Sequence, residues 1–147
     1  MPTESHWLKS CLCTQAQLAS APFQAWCDQL REPRNNFHRK VWEWCYVAQA
    51  LQERGLLQPG KRGLGFAVGQ EPLTALFAAA GCAILATDQA ATAAERGGWV
   101  TTGQHAAHSE QLNLRGICEP AVFANRVEFR PVDMRAIPAD LGEFDFL

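Results

Sequence analysis

Residues 61–88, KRGLGFAVGQEPLTALFAAAGCAILATD, constrain this chain more than any other stretch. Glycine recurs at positions 63, 65 and 69, and Pro72 follows. Proline suits the first turn of a helix, where a missing N–H has no helical partner to lose. Leu73, Leu76, Phe77 and Ala80 then recur at helical spacing, and Gly81 is placed to end that helix. CAILAT is a nearly unbroken apolar run, as a parallel strand requires when both of its faces are covered. Asp88 closes it. The stretch therefore predicts a βαβ unit with small residues at its first turn and a carboxylate at the tip of its second strand.

Such a unit suits a nucleotide. Small residues let the backbone approach a ligand closely, and a helix N-terminus offers free N–H groups. An acid about 20 residues beyond the turn can accept ribose hydroxyls. Two ligand classes compete. A dinucleotide fingerprint, G-x-G-x-x-G, fits Gly63 and Gly65 but meets Val68 in its third place. A looser G-x-G-x-G turn fits Gly65, Ala67 and Gly69, with alanine in the middle, and is preferred here. The plain alternative is a loop that merely needs glycine.

The chain's 147 residues suffice for one domain with one core, and a hydrophobic fraction of 48% is that of a globular protein. A net charge of −2 gives no electrostatic reason to expect a nucleic-acid partner. No apolar run reaches membrane-spanning length, and MPTESHWLKSCLC holds no stretch suited to a signal peptide. A cytoplasmic protein is the expectation. The six cysteines match no common zinc spacing and read as buried hydrophobes or free thiols. Cys11 and Cys13, with Cys27 or His38, form the one metal alternative, and no second close pair supports it; no metal is expected.

Residues 1–36 read as an N-terminal extension that packs on a main domain of residues 37–147, with a substrate lid as the alternative. Thr14 is placed to cap a short helix, and Phe23, Trp26, Cys27 and Leu30 mark one amphipathic face. A longer helix is predicted over residues 37–55, capped by Asn35 or Asn36, with Phe37, Val41, Trp44, Cys45, Ala48 and Leu51 on one face. Arg39, Lys40 and Glu43 read as its solvated side. After Asp88, QAATAAER is helix-compatible and Gly97-Gly98 ends it. Residues 105–118 are a further helix candidate, in which His105 and His108 take surface or capping roles. RVEFRPVD alternates as a strand does, and Pro131 confines it to a sheet edge. The final FDFL reads as the start of a fourth strand.

With these residues in order, the chain resembles a class I S-adenosylmethionine-dependent methyltransferase. The features that carry the likeness are HRKVWEWCYVAQAL before the first strand, GLGFAVG after it, ATD closing the second strand and VDM closing the third. The resemblance implies an α/β fold: a Rossmann-like parallel sheet of strand order 3-2-1-4 with flanking helices. It also implies that the chain stops inside the fourth strand, so that the C-terminal half of the usual methyltransferase fold is absent. It assigns S-adenosyl-L-methionine as cofactor. Gly65, Ala67 and Gly69 pass beneath its methionine part, Asp88 binds the ribose hydroxyls, and Gln89 lies beside the adenine. Asp133 takes the adenine amino group and Met134 flanks the ring. Gly63 stands where the family usually has an acid. No residue is assigned as a general base, and the methyl acceptor is unassigned. An open edge at Phe144, Phe146 and Leu147 invites self-association. A truncated methyltransferase is thus the expectation; its rivals are a non-catalytic remnant or interaction module on the same fold, and a nicotinamide-dependent oxidoreductase.

Overall fold

A computed structural model describes residues 9–147. Residues 1–8, including most of the segment judged unlike a signal peptide, lie outside the described residues. The chain divides into two compact units, Met1–Leu56 and Leu57–Leu147.

The first unit is helical. α1 (Gln15–Leu18) is closed at its start by a capping box: the Thr14 hydroxyl accepts from Gln17 N, and the Gln17 side chain accepts from Thr14 N. In α2 (Ala21–Gln29) the predicted face is the buried one, with Phe23, Trp26 and Cys27 inside and Leu30 completing it at the C-cap. α3 (Arg39–Glu53) packs on α2 through Val41, Cys45 and Ala48. Trp26 Nε1 ties the pair by donating to Gln49 Oε1 at 2.7 Å. Trp42 and Tyr46 stack on each other, ring centroids 4.9 Å apart, on the flank of α3.

The start of α3 differs from the expectation. His38, not Asn35 or Asn36, is the N-cap, its Nδ1 accepting from Lys40 N at 3.1 Å. Asn36 is diverted, donating instead to Glu32 Oε1 at 2.6 Å, and Phe37 is left exposed outside the helix. Glu43 pairs with Arg39 and Lys40 along the surface of α3, a solvated charged side.

The second unit is α/β. β1 (Arg62–Gly65), β2 (Ala83–Asp88) and β3 (Val127–Pro131) form a parallel sheet in the order β1-β2-β3. The middle strand is the continuous apolar run, and five successive residues of it, Ile84 to Asp88, are buried. β3 pairs on one side only, so Pro131, which cannot donate, stands on an edge as its chemistry demands. α4 (Leu73–Ala79) begins after Pro72 and packs on β2 and on α6 (Pro120–Arg126). Thr74 through Ala78 are all buried, so α4 is covered nearly all round rather than along one stripe. α5 (Ala91–Arg96) follows β2 and ends at Gly97.

Two further expectations are corrected. The fourth strand, and with it the order 3-2-1-4, reduces to one parallel bridge between Gly63 and Phe146 beside β1. Asp145 is the reason: its carboxylate accepts the Arg62 amide at 2.8 Å, taking a donor that a ladder would need. Lys61 Nζ adds an ion pair to the same carboxylate, and the Arg62 guanidinium lies 4.9 Å from the centre of the Phe144 ring. Gly63 permits the close approach, since a Cβ there would fall 2.4 Å from Phe146 Cε2.

The helix expected over residues 105–118 is only a short 3-10 turn, Ser109–Asn113. Side chains take the amides that would start a longer one: Gln111 Oε1 accepts from Ala107 N and His108 N. Asn113 then bonds both backbone groups of Cys118 and rounds off the loop. α6 was not anticipated, although Glu119-Pro120 is a cap-and-first-turn pair and Glu119 does accept from Val122 N. Among the described residues no helix is long and apolar enough to cross a membrane.

Candidate functional site

The C-terminal ends of β1 and β2 carry the residues singled out by sequence. The turn after β1 is stitched to the tip of β2 by three bonds. Thr87 Oγ1 donates to Gly65 O at 2.8 Å, and Val68 N donates to Thr87 O at 3.0 Å. Gly69 N donates to Asp88 Oδ2 at 3.0 Å. The carboxylate therefore sits against the bend, as a βαβ ligand site requires.

It is also heavily engaged. Asp88 is 5% exposed. Oδ2 accepts a second amide, Ala106 N, at 3.2 Å, and Oδ1 accepts Gln89 N at 2.8 Å. A carboxylate offers roughly four lone-pair positions. Three are used within the chain, leaving room for a single further donor on Oδ1. Gripping a vicinal diol through both oxygens thus needs one of the Oδ2 amides to withdraw.

The turn itself holds one strained residue. Ala67 lies in the left-handed region at φ 49°, where a Cβ costs about 1–2 kcal/mol. Its side chain is exposed, while Gly65, Phe66 and Gln70 are half-buried. Gly69 has φ +54°, and a Cβ on it would meet Gln104 O at 2.5 Å. Gly65 is likewise hemmed in by Val68 Cγ1. The small residues of this turn thus serve the chain's own packing, whatever else they admit.

Residues 104–106 are the part of the site that sequence reasoning missed. His105, expected at the surface, is buried; its Nε2 lies 2.7 Å from Gln89 O. Because the partner is a carbonyl, Nε2 carries the proton. Gln70 Nε2 donates to His105 O at 3.0 Å. The polar Thr87 just before Asp88 was a legible signal, since its hydroxyl ends an otherwise apolar run; nothing local in the sequence marks Ala106.

Asp133 and Met134 follow β3 by two and three residues. Val132 N donates to Asp88 O at 2.8 Å, so the backbone beside Asp133 joins the tip of β2. The Asp133 side chain, however, is held by Arg135: Oδ1 accepts from its backbone N at 2.9 Å and Nε at 3.0 Å, and Oδ2 from Nη2 at 2.8 Å. These bonds pull its carboxyl from the ordinary 3.8 to about 2. Met134 is exposed. Among the described residues no three His, Cys, Asp or Glu side chains are grouped to hold a metal ion. Burial pushes the thiols of Cys27, Cys45, Cys82 and Cys118 up, so these four are poor nucleophiles.

No protein-family model matches the chain, and no curated protein and no solved structure is significantly similar to it.

Proposed function

We propose that residues 57–147 bind S-adenosyl-L-methionine and act in methyl transfer, with the acceptor unassigned. One observation carries the reading. The carboxylate closing the middle parallel strand is bonded to the amide of the glycine turn that follows the neighbouring strand. That pairing of a small-residue turn with an acid at the C-terminal strand ends suits a ligand with a hydroxyl-bearing sugar and a narrow tail. The fit to this chain is partial: Oδ1 of Asp88 has capacity for one sugar hydroxyl, and the exposed tip at Ala67 leaves the turn open on its outer side. Gln89, half-buried beside Asp88, would flank the adenine, and Asp133 and Met134 stand past the end of β3 for its far edge.

The cofactor, when bound, supplies an electrophilic methyl on a sulfonium. The chain's part in this reading is to bind and orient it, since an in-line displacement depends chiefly on positioning. The four-strand order 3-2-1-4 belongs to the same proposal, with the Gly63–Phe146 bridge as its only pairing on that side.

A second reading, a non-catalytic module on this fold, is favoured by a specific observation. All three bonds to the Asp88 carboxylate come from the chain's own backbone, and the turn glycines are explained by close internal packing. Isothermal titration of the full chain with S-adenosylhomocysteine separates the two. Micromolar binding that is lost in a folded Asp88→Asn variant supports the cofactor site. A flat titration supports the module, and heat with a nicotinamide dinucleotide alone would replace both readings.

A further inference from the structure

Residues 104–106 lie directly on the turn: the missing Cβ of Gly69 would sit 2.5 Å from Gln104 O, and Ala106 N reaches Asp88 Oδ2. Two latches hold this segment. Gln70 Nε2 donates to His105 O at 3.0 Å, and His105 Nε2 donates to Gln89 O at 2.7 Å. The chain leading into it is of a different kind. Residues 99–104 are exposed turn, with glycines at 97, 98 and 103, and Gln104 N is tied back only to Trp99 O. A latched segment thus follows a stretch with little of its own to hold it in place.

The carboxylate's bonding decides what that latch controls. Oδ2 is saturated by Gly69 N at 3.0 Å and Ala106 N at 3.2 Å, and the side chain is 5% exposed. Gly69 belongs to the turn and is fixed by it. Ala106 makes the longest of the three bonds and belongs to the separable segment. We propose that residues 104–106 form a strap over Asp88, and that a vicinal diol is gripped by both carboxylate oxygens only when it displaces the Ala106 amide. The proposal deepens the cofactor reading above and rests on it: a ribose diol is the ligand group concerned. The exchange is isosteric in bonding, one amide donor leaving Oδ2 as one hydroxyl donor arrives. The strap then sets affinity, because its latches must be broken for the second hydroxyl to bind.

The test uses the full chain and S-adenosylhomocysteine as the probe. Residue-resolved amide exchange by NMR is recorded with and without saturating ligand, and affinity is measured for the natural chain and for Gln70→Ala. The strap requires that Ala106 N exchange faster when ligand is bound while Gly69 N keeps its protection. It also requires Gln70→Ala to bind about two- to twelvefold more tightly, the yield of removing one net hydrogen bond from the closed form. Binding by Gln70→Ala alone is the extreme case of the same result. If ligand binds while Ala106 N keeps or gains protection, the strap is refuted and the cofactor reading stands. Binding by neither chain ends both. Should Gln70→Ala fail to fold, the exchange data on the natural chain decide.

Discussion

Removing the Asp88 carboxylate should unfold the second unit before it says anything about ligand. Asp88→Ala takes the acceptor from three amides at once: Gly69 N, Gln89 N and Ala106 N. Gly69 and Ala106 are buried and Gln89 is half-buried, so water reaches the first two poorly. A buried donor left unsatisfied costs about 1–3 kcal/mol. Two such donors and a partly hydrated third come to about 3–6 kcal/mol, against about 5–15 kcal/mol for a typical domain. Relief of the buried charge offsets part of this, so a net loss of about 3 kcal/mol is expected. Asp88→Asn keeps one oxygen and one side of the bonding and should lose about half as much. The assay is amide exchange of the β2 residues Ile84, Leu85 and Ala86 under conditions where protection reports opening free energy. Tryptophan fluorescence is unsuited, because Trp7, Trp26, Trp42 and Trp44 of the five tryptophans all fall in residues 1–56. A drop in β2 protection of under about 1 kcal/mol for Asp88→Ala would refute the claim that this carboxylate ties turn, strand and loop together. The same arithmetic is why the asparagine variant, not the alanine, is paired with the titration of ligand.

Three further outcomes follow from the geometry. Ala67→Gly should raise the midpoint of thermal unfolding, since it relieves a left-handed alanine by about 1 kcal/mol less the added freedom of the unfolded chain, whereas Ala67→Val should lower it; equal midpoints for all three would contradict the φ of 49°. Gly63→Ala places a Cβ 2.4 Å from Phe146 Cε2 and should cost about 1–3 kcal/mol in urea unfolding, with Phe146→Ala in the same chain recovering much of the loss. Arg135→Ala should return the Asp133 carboxyl from about 2 toward 3.8 in an NMR titration. A carboxyl depressed in the folded chain contributes stability above its unfolded value and loses it as pH falls, so the variant and natural chains should differ in acid sensitivity only between about pH 4 and 2. At neutral pH their urea midpoints should agree closely, because the pair is exposed to solvent.

The sequence by itself determined β1, the turn, α4, β2 and Asp88, because each is a local pattern bounded by glycine or proline. A continuous apolar run such as Ile84–Ala86 has no stable place except a covered strand, and Pro131 excludes β3 from any but an edge position. Local pattern failed wherever a distant group claimed the backbone first. Ala106 N, 18 residues from Asp88, is bonded to that carboxylate, and Ala107 N and His108 N are bonded to Gln111, so the periodic residues 105–118 could not close helical turns. Asp145 claimed the Arg62 amide from 83 residues away and cut a fourth strand to one bridge. Periodicity records which face a side chain presents within a turn or two of its own element. Which donors fill the lone pairs of a carboxylate is settled by atoms that meet only after the sheet has formed, and that is why Asp88 could be found in the sequence and its three partners could not.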